Sequence, residues 1–183
     1  MRHEISERPD ALLVRAAQAG EAEAFNVLVR RWERKVYSYL VYLTGRPEDA
    51  FDLCQEVFIS SYRHLRSLKD AEKFHHWLFR IAHNTAHSYT RARRPEQAVE
   101  FDLAPSAPPL RAGDGGPWAP GELKVLLERA LAQLPAEQRE AIVLKFYQGF
   151  KLAEIAEIQG CPLSTAKTRV YSAFDQLKEF IES

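Results

Sequence analysis

The residues best equipped for chemistry lie in two polar, basic runs and one acidic helix face. Between positions 63 and 94 stand eight Lys/Arg and five histidines against two acids, Asp70 and Glu72. Arg80, Arg91, Arg93 and Arg94 can hold phosphates, contacts that position a nucleic acid without reading its sequence. Asn84 can make paired hydrogen bonds to a base edge. The second run is Ser164, Thr165, Lys167, Thr168 and Arg169, whose cations reach guanine edges or phosphates and whose hydroxyls reach either. The third set is Asp52, Gln55 and Glu56, two carboxylates and an amide on one helix face, which on the residues alone reads as a solvated surface. His83 and His87 stand four residues apart, a spacing able to hold a metal. No Cys/His/Asp set accompanies them in sequence, so no metal is expected, and His87 occupies a position suited to facing DNA. No Gly-rich phosphate loop, metal-ligand set or nucleophile elbow is visible, so neither an enzyme nor a cofactor is expected.

Helices must carry these groups. From Phe25 the apolar residues run Phe25, Leu28, Val29, Trp32, Val36, Leu40 and Leu43, spaced by threes and fours on one face. Gly45 closes that helix and Pro47 opens the next. Ala50, Leu53 and Val57 form the apolar side of the helix bearing Asp52, Gln55 and Glu56. Phe74, Trp77, Leu78, Ile81, Thr85 and Tyr89 form another stripe, which assigns Trp77 to the core and leaves Phe79 off it. Asp10 is placed to cap a short first helix ending near Gly20. Later, Leu123, Leu126, Leu127, Ala130 and Leu134 mark a helix. Pro135 opens the next, with Ile142, Val143 and Phe146 inside and Gly149 as its stop. No stretch alternates with period two, so the fold class is all-α.

The segment from Leu152 to Phe174 predicts a helix-turn-helix. Ala156 permits close approach, Gly160 supplies the turn, and Ile155, Leu163, Ala166 and Val170 supply apolar contacts. The second helix then projects into a major groove wide enough to accept it.

Charge and punctuation divide the chain of 183 residues. Six of the ten prolines and four of the eight glycines fall between Pro95 and Gly121, a stretch that cannot sustain a helix. The expected organisation is a helical domain over 1–95, an extended acidic linker over 96–121 and a second helical domain over 122–183. Net charge is zero, which excludes a histone-like protein held to DNA by bulk charge, yet residues 1–95 carry 16 basic and 12 acidic residues. A positive region on a neutral protein points to a localised anionic partner. Two cysteines, Cys54 and Cys161, make no disulfide framework. With no bilayer-spanning apolar run and no signal-peptide core, the chain reads as soluble, cytoplasmic and without membrane insertion. On the residues alone, a freestanding helix-turn-helix regulator and a helical adaptor that binds only protein stay open.

Three blocks in order narrow that choice. Asp49-Ala50-Phe51-Asp52-Leu53-Cys54-Gln55-Glu56-Val57-Phe58 is similar to the polymerase-binding helix of extracytoplasmic-function (ECF) sigma factors, a compact branch of the sigma-70 family. Phe74 to Asn84, followed by Arg91-Ala92-Arg93-Arg94, resembles that family's promoter −10 helix. Leu134-Pro135-Ala136-Glu137-Gln138-Arg139 with the helix-turn-helix resembles its −35-reading domain. The resemblance covers about residues 10–95 and 122–181.

It implies promoter-specific transcription initiation, with −10 recognition and melting by the first domain and −35 recognition by the second. By the same resemblance, Asp49, Asp52, Gln55 and Glu56 face the polymerase β′ clamp helices, and the β flap is a further core contact. The segment carrying Arg66, Lys69 and Lys73 is similar to a loop that captures a flipped base, and Asn84 matches a −10-reading position. An anti-sigma factor covering both domains is implied, and the acidic linker is expected in the RNA exit channel. Phe51 departs from a commonly acidic position and suggests a partner surface. Ser172 and Phe174 replace residues that are often basic, which predicts weak unaided DNA binding.

Overall fold

The structure, a computed structural model, describes residues 7–93 and 122–182, apart from the side chains of 93, 122–126, 128 and 182. All regular elements among them are helical. The expected linker over 96–121 lies outside the described residues.

The first domain packs α1 (Asp10–Gln18), α2 (Ala22–Thr44), α3 (Pro47–His64) and α4 (Phe74–Arg93). Short 3₁₀ turns at Leu65–Ser67 and Ala71–Lys73 join α3 to α4. The stripe of α2 buries Phe25, Leu28, Val36, Tyr39 and Leu40 against Leu53 and Val57 of α3 and Phe74, Leu78 and Ala82 of α4. Gly45 ends α2 at φ 68°, the left-handed conformation that glycine adopts without Cβ strain, and its N–H donates to the Val41 carbonyl at 2.9 Å. Pro47 then occupies the first turn of α3, where no backbone donor is needed. The Gln18 amide donates to the Leu65 and Leu68 carbonyls at 2.9 and 2.8 Å, tying the α3–α4 connection to α1.

Two expectations change here. Asp10 makes no cap; Pro9 takes the cap position, and the Asp10 carboxylate pairs with Arg31 and accepts from Trp32 Nε1 at 2.9 Å. An acid in the first turn still favours the helix dipole, and both α2 donors gain a partner. Phe79, off the predicted stripe, is fully buried, whereas Trp77 is only half-buried. A second packing surface covers Phe79, so α4 is buried on a wider arc than one stripe.

That surface is the second domain: α5 (Glu122–Gln133), α6 (Ala136–Ile142), α7 (Leu152–Ile158) and α8 (Leu163–Glu182). A π-turn at Val143–Tyr147 continues α6, and Gly149 follows at φ 77°. Arg139 is buried and spends its guanidinium on α5: Nε donates to the Leu131 carbonyl at 3.0 Å and Nη2 to that of Leu134 at 3.1 Å. The Leu131 carbonyl also accepts from the Leu134 N–H at 3.2 Å, so Arg139 adds a second donor at the end of α5. Burial also lowers the Arg139 pKa from its ordinary value. Leu144, Phe150, Ile155, Ile158, Ala166, Val170 and Ala173 close this core. Phe146, expected inside, is 42% exposed and stacks on Phe174 at 6.3 Å, because the π-turn shifts the helical phase after Ile142. Leu163 is likewise 43% exposed rather than a core contact of the helix-turn-helix.

Candidate nucleic-acid and polymerase interfaces

The acidic set lies where the sequence predicts. Along α3, Leu53, Cys54, Val57 and Phe58 face inward while Asp52, Gln55 and Glu56 are exposed; Asp49 is half-buried. Phe51 and Ile59 add apolar area, 57% and 52% exposed, beside a groove that α2 borders with Val29, Glu33 and Tyr37. Cys54 forms the floor. Its thiol points at the Glu33 carbonyl, 3.7 Å away, and burial followed by the Glu33 charge pushes its pKa up to about 11. A thiol so disfavoured as thiolate is a packing group rather than a redox centre.

The basic set is split between a turn and a helix. Arg66, Lys69 and Lys73 are exposed on the α3–α4 connection, whose second 3₁₀ turn is capped by Asp70 accepting from the Glu72 N–H at 3.1 Å. Arg80, Asn84 and Arg91 are exposed along α4. Arg94 lies outside the described residues, as does the side chain of Arg93.

On α8, Ser164, Lys167 and Thr168 are exposed and Thr165 is half-buried. Thr168 Oγ1 donates to the Ser164 carbonyl at 3.0 Å. Arg169 departs from its expected outward direction: it is half-buried, and Nη1 donates to Gln159 Oε1 at 3.1 Å. The helix-turn-helix itself is formed. Lys151 N–H donates to Glu154 Oε2 at 2.8 Å at the start of α7, and Gly160 turns the chain at φ 61°.

The two domains pack directly against each other. Phe150 lies between α4 side chains, parallel to His75 at 5.3 Å and edge-on to Phe79 at 5.1 Å. Tyr42 meets Tyr147 at 5.4 Å, and the buried His76 lies 3.4 Å from Glu157 through Nε2. Burial lowers the His75 pKa, outweighing nearby charges of either sign. The packing seats α4 beside the helix-turn-helix: Arg80 borders a groove shared with Ala153, Ala156, Glu157, Gly160 and Cys161.

At the centre of this contact is Glu140, a carboxylate with 1% of its side chain exposed. It accepts from the Tyr39 hydroxyl and from Gln159 Nε2 at 2.9 Å. His83 Nδ1 lies 2.7 Å from Oε1, and His87 Nε2 lies 3.6 Å from Oε2. Burial alone raises a carboxyl pKa; here the bonds from His83 and His87, the His83 charge and the Tyr39 bond outweigh it and hold Glu140 well below the usual range. The same contact drives Tyr39 the other way: burial first, then the Glu140 charge, raise the phenol well above its ordinary value.

In the packed arrangement His87 Nε2 is directed at a carboxylate of the other domain, with 40% of its side chain exposed. Glu140, Tyr39 and Gln159 escaped the sequence reading. One signal was present: Glu140 precedes Val143 and Leu144 by three and four residues, so it is an acid set on an apolar stripe.

Comparisons with known proteins agree with this architecture. Residues 28–96 match the model of Sigma-70 region 2, and residues 124–177 match that of Sigma-70, region 4. The ECF RNA polymerase sigma-E factor of Escherichia coli K12 is 34% identical over 94% of this chain and 94% of its own. That of Haemophilus influenzae is 32% identical over 94% and 95%. The sigma factor RpoE of Bartonella quintana, solved with the anti-sigma factor NepR, aligns at a TM-score of 0.68 and 26% identity over 86% of this chain and 96% of that one. CnrH, solved with the cytosolic domain of CnrY, shares the fold at a TM-score of 0.69 and 24% identity over 94% and 97%. Both regions in order, relatives matched almost end to end and a formed helix-turn-helix lead to one assignment: the chain belongs to the extracytoplasmic-function sigma factors of the sigma-70 family, which direct promoter-specific transcription initiation.

Proposed function

We propose a division of labour along the chain. Residues 1–95 bind core RNA polymerase and open the −10 element, 96–121 tether, and 122–183 read the −35 element. Asp49, Asp52, Gln55 and Glu56 meet the basic clamp helices of the β′ subunit, and the second domain engages the β flap. Arg66, Lys69 and Lys73 attend the flipped base. Arg80, Arg91, Arg93 and Arg94 hold phosphates, and Asn84 reads a base edge. Ser164, Thr165, Lys167 and Thr168 face the −35 major groove; Arg169 joins them once released from Gln159. The protein works in the cytoplasm without catalysis of its own. Among the described residues no helix is long and apolar enough to cross a membrane. An anti-sigma factor is a further partner, as for RpoE with NepR.

The observation that carries this reading is the separation of the faces: exposed carboxylates and amide on α3, exposed donors on α4, exposed donors on α8. Geometry then demands a rearrangement. Promoter elements about 25 base pairs apart lie about 85 Å apart at ~3.4 Å per step. In the packed form Arg80 borders the helix-turn-helix, so the domains must separate before both elements are engaged. Fully extended, residues 96–121 reach about 90 Å at ~3.3–3.6 Å each, enough to allow this.

In-vitro transcription with purified bacterial core polymerase and a promoter library tests the reading. Asn84→Ala is expected to reduce permanganate reactivity at −10 while −35 footprints persist. Equal loss at both elements, or wild-type opening, refutes the division.

A further inference from the structure

We propose that His83, His87 and Glu140 form a binding site for a divalent transition-metal ion, with zinc the best match, and that the bound ion clasps the two domains in their packed arrangement. The three ligand atoms lie within 4.8 Å of one another, two from α4 of the first domain and one from α6 of the second. Two imidazoles and one carboxylate are a ligand set zinc accepts, with a water completing four-coordination. The rings already converge, their centroids 4.1 Å apart, and each addresses a different carboxylate oxygen. Tetrahedral bonds of ~2.0–2.1 Å place ligand atoms about 3.3 Å apart. His87, 40% exposed in its side chain, has room for that adjustment and leaves an entry path from solvent.

The electrostatics call for a cation. Glu140 is nearly fully buried, and its Tyr39 and Gln159 partners are neutral, so compensating charge must arrive through the two rings. One proton serves one ring; a divalent ion uses the lone pairs of both while neutralising the carboxylate. Tyr39 and Gln159 already hold Glu140 from outside the ligand set, as carboxylate ligands commonly are held. Because the ligands come from both domains, the ion binds the packed form and not the separated one. The packed-to-open ratio then rises by a factor of 1 + [metal]/Kd, about a hundredfold at a free metal concentration of 100 Kd. Any resulting effect on promoter engagement rests on the function proposed above; metal binding and domain closure do not.

The test uses the full chain stripped with a chelator and titrated with Co²⁺ as a visible probe, then with Zn²⁺ in competition. Wild type is expected to take up one equivalent, with d–d bands that Zn²⁺ abolishes and a smaller radius of gyration in X-ray scattering. His87→Ala, at a half-exposed position that folding tolerates, is expected to weaken binding by about tenfold or more, and Glu140→Gln likewise. His64→Ala, at an exposed position on α3 outside the ligand set, is expected to bind as wild type. A featureless Co²⁺ spectrum overturns the proposal. So does an affinity unchanged in both His87→Ala and Glu140→Gln, or closure that responds to acid but not to Zn²⁺.

Discussion

Replacing Glu140 by glutamine tests the physics of the domain contact without changing side-chain shape. The carboxylate accepts from Tyr39 and His83 on one oxygen and from Gln159 on the other. An amide has one acceptor oxygen. If that oxygen keeps Tyr39 and His83, the new NH₂ confronts Gln159 Nε2, donor against donor. Gln159 can turn its amide over, but its oxygen then abandons Arg169, which it holds at 3.1 Å. The charge-assisted bond to His83 weakens as well, and such bonds contribute about 1.5–3 kcal/mol, while a buried unsatisfied group costs about 1–3 kcal/mol. Partial relaxation leaves a net loss of about 2–4 kcal/mol, or about 30- to 900-fold in the packed-to-open ratio at 1.36 kcal/mol per decade. Single-molecule energy transfer between dyes on Glu48→Cys and Glu179→Cys, in a Cys161→Ser background with chelator present, reads that ratio. Glu157→Gln serves as the comparison. Its carboxylate is 60% exposed and lies 3.4 Å from His76, so it is expected to change the equilibrium by less than about 1 kcal/mol. If Glu140→Gln left the ratio within threefold of wild type, the reasoning about the buried carboxylate would be wrong. The linkage has a definite sign. A depressed carboxyl pKa contributes stability present above the unfolded value and lost as pH falls through the folded one, so acid weakens this term.

Three further outcomes follow from the packing and the faces. Phe79→Ala, which removes a fully buried ring between Tyr39 and Phe150, is expected to cost about 3–5 kcal/mol in urea unfolding; a loss below 1 kcal/mol would contradict its position. Cys54, buried and with its thiol pKa near 11, is expected to resist alkylation at pH 8 in the folded protein while half-buried Cys161 reacts first, as peptide mass mapping would show. Asp52→Ala combined with Glu56→Ala is expected to weaken assembly with core polymerase in co-purification while leaving the melting temperature within a few degrees, since both side chains are exposed.

Some residues announced their structural place and others did not. The α2 stripe, the Gly45–Pro47 break and the exposed faces of α3 and α4 follow from periodicity and backbone restrictions, which are local. Asp10, Phe79 and Arg169 could not be placed from their own spacing for a common reason: each depends on what stands opposite. Asp10 finds Arg31 and Trp32 across a helix pair, and Arg169 finds Gln159 across the turn. Phe79 lies off the apolar stripe of α4 and is buried all the same, because α4 packs on two bodies.

Sequence alone determined the helices, the break between the domains, the helix-turn-helix and the family, because spacing, proline and glycine act within a few residues of themselves. Only the tertiary structure decided that Glu140 meets His83 and His87, 57 and 53 positions earlier in the chain. That meeting requires two domains to close on each other, and a pairing between distant segments leaves no periodic trace in either one.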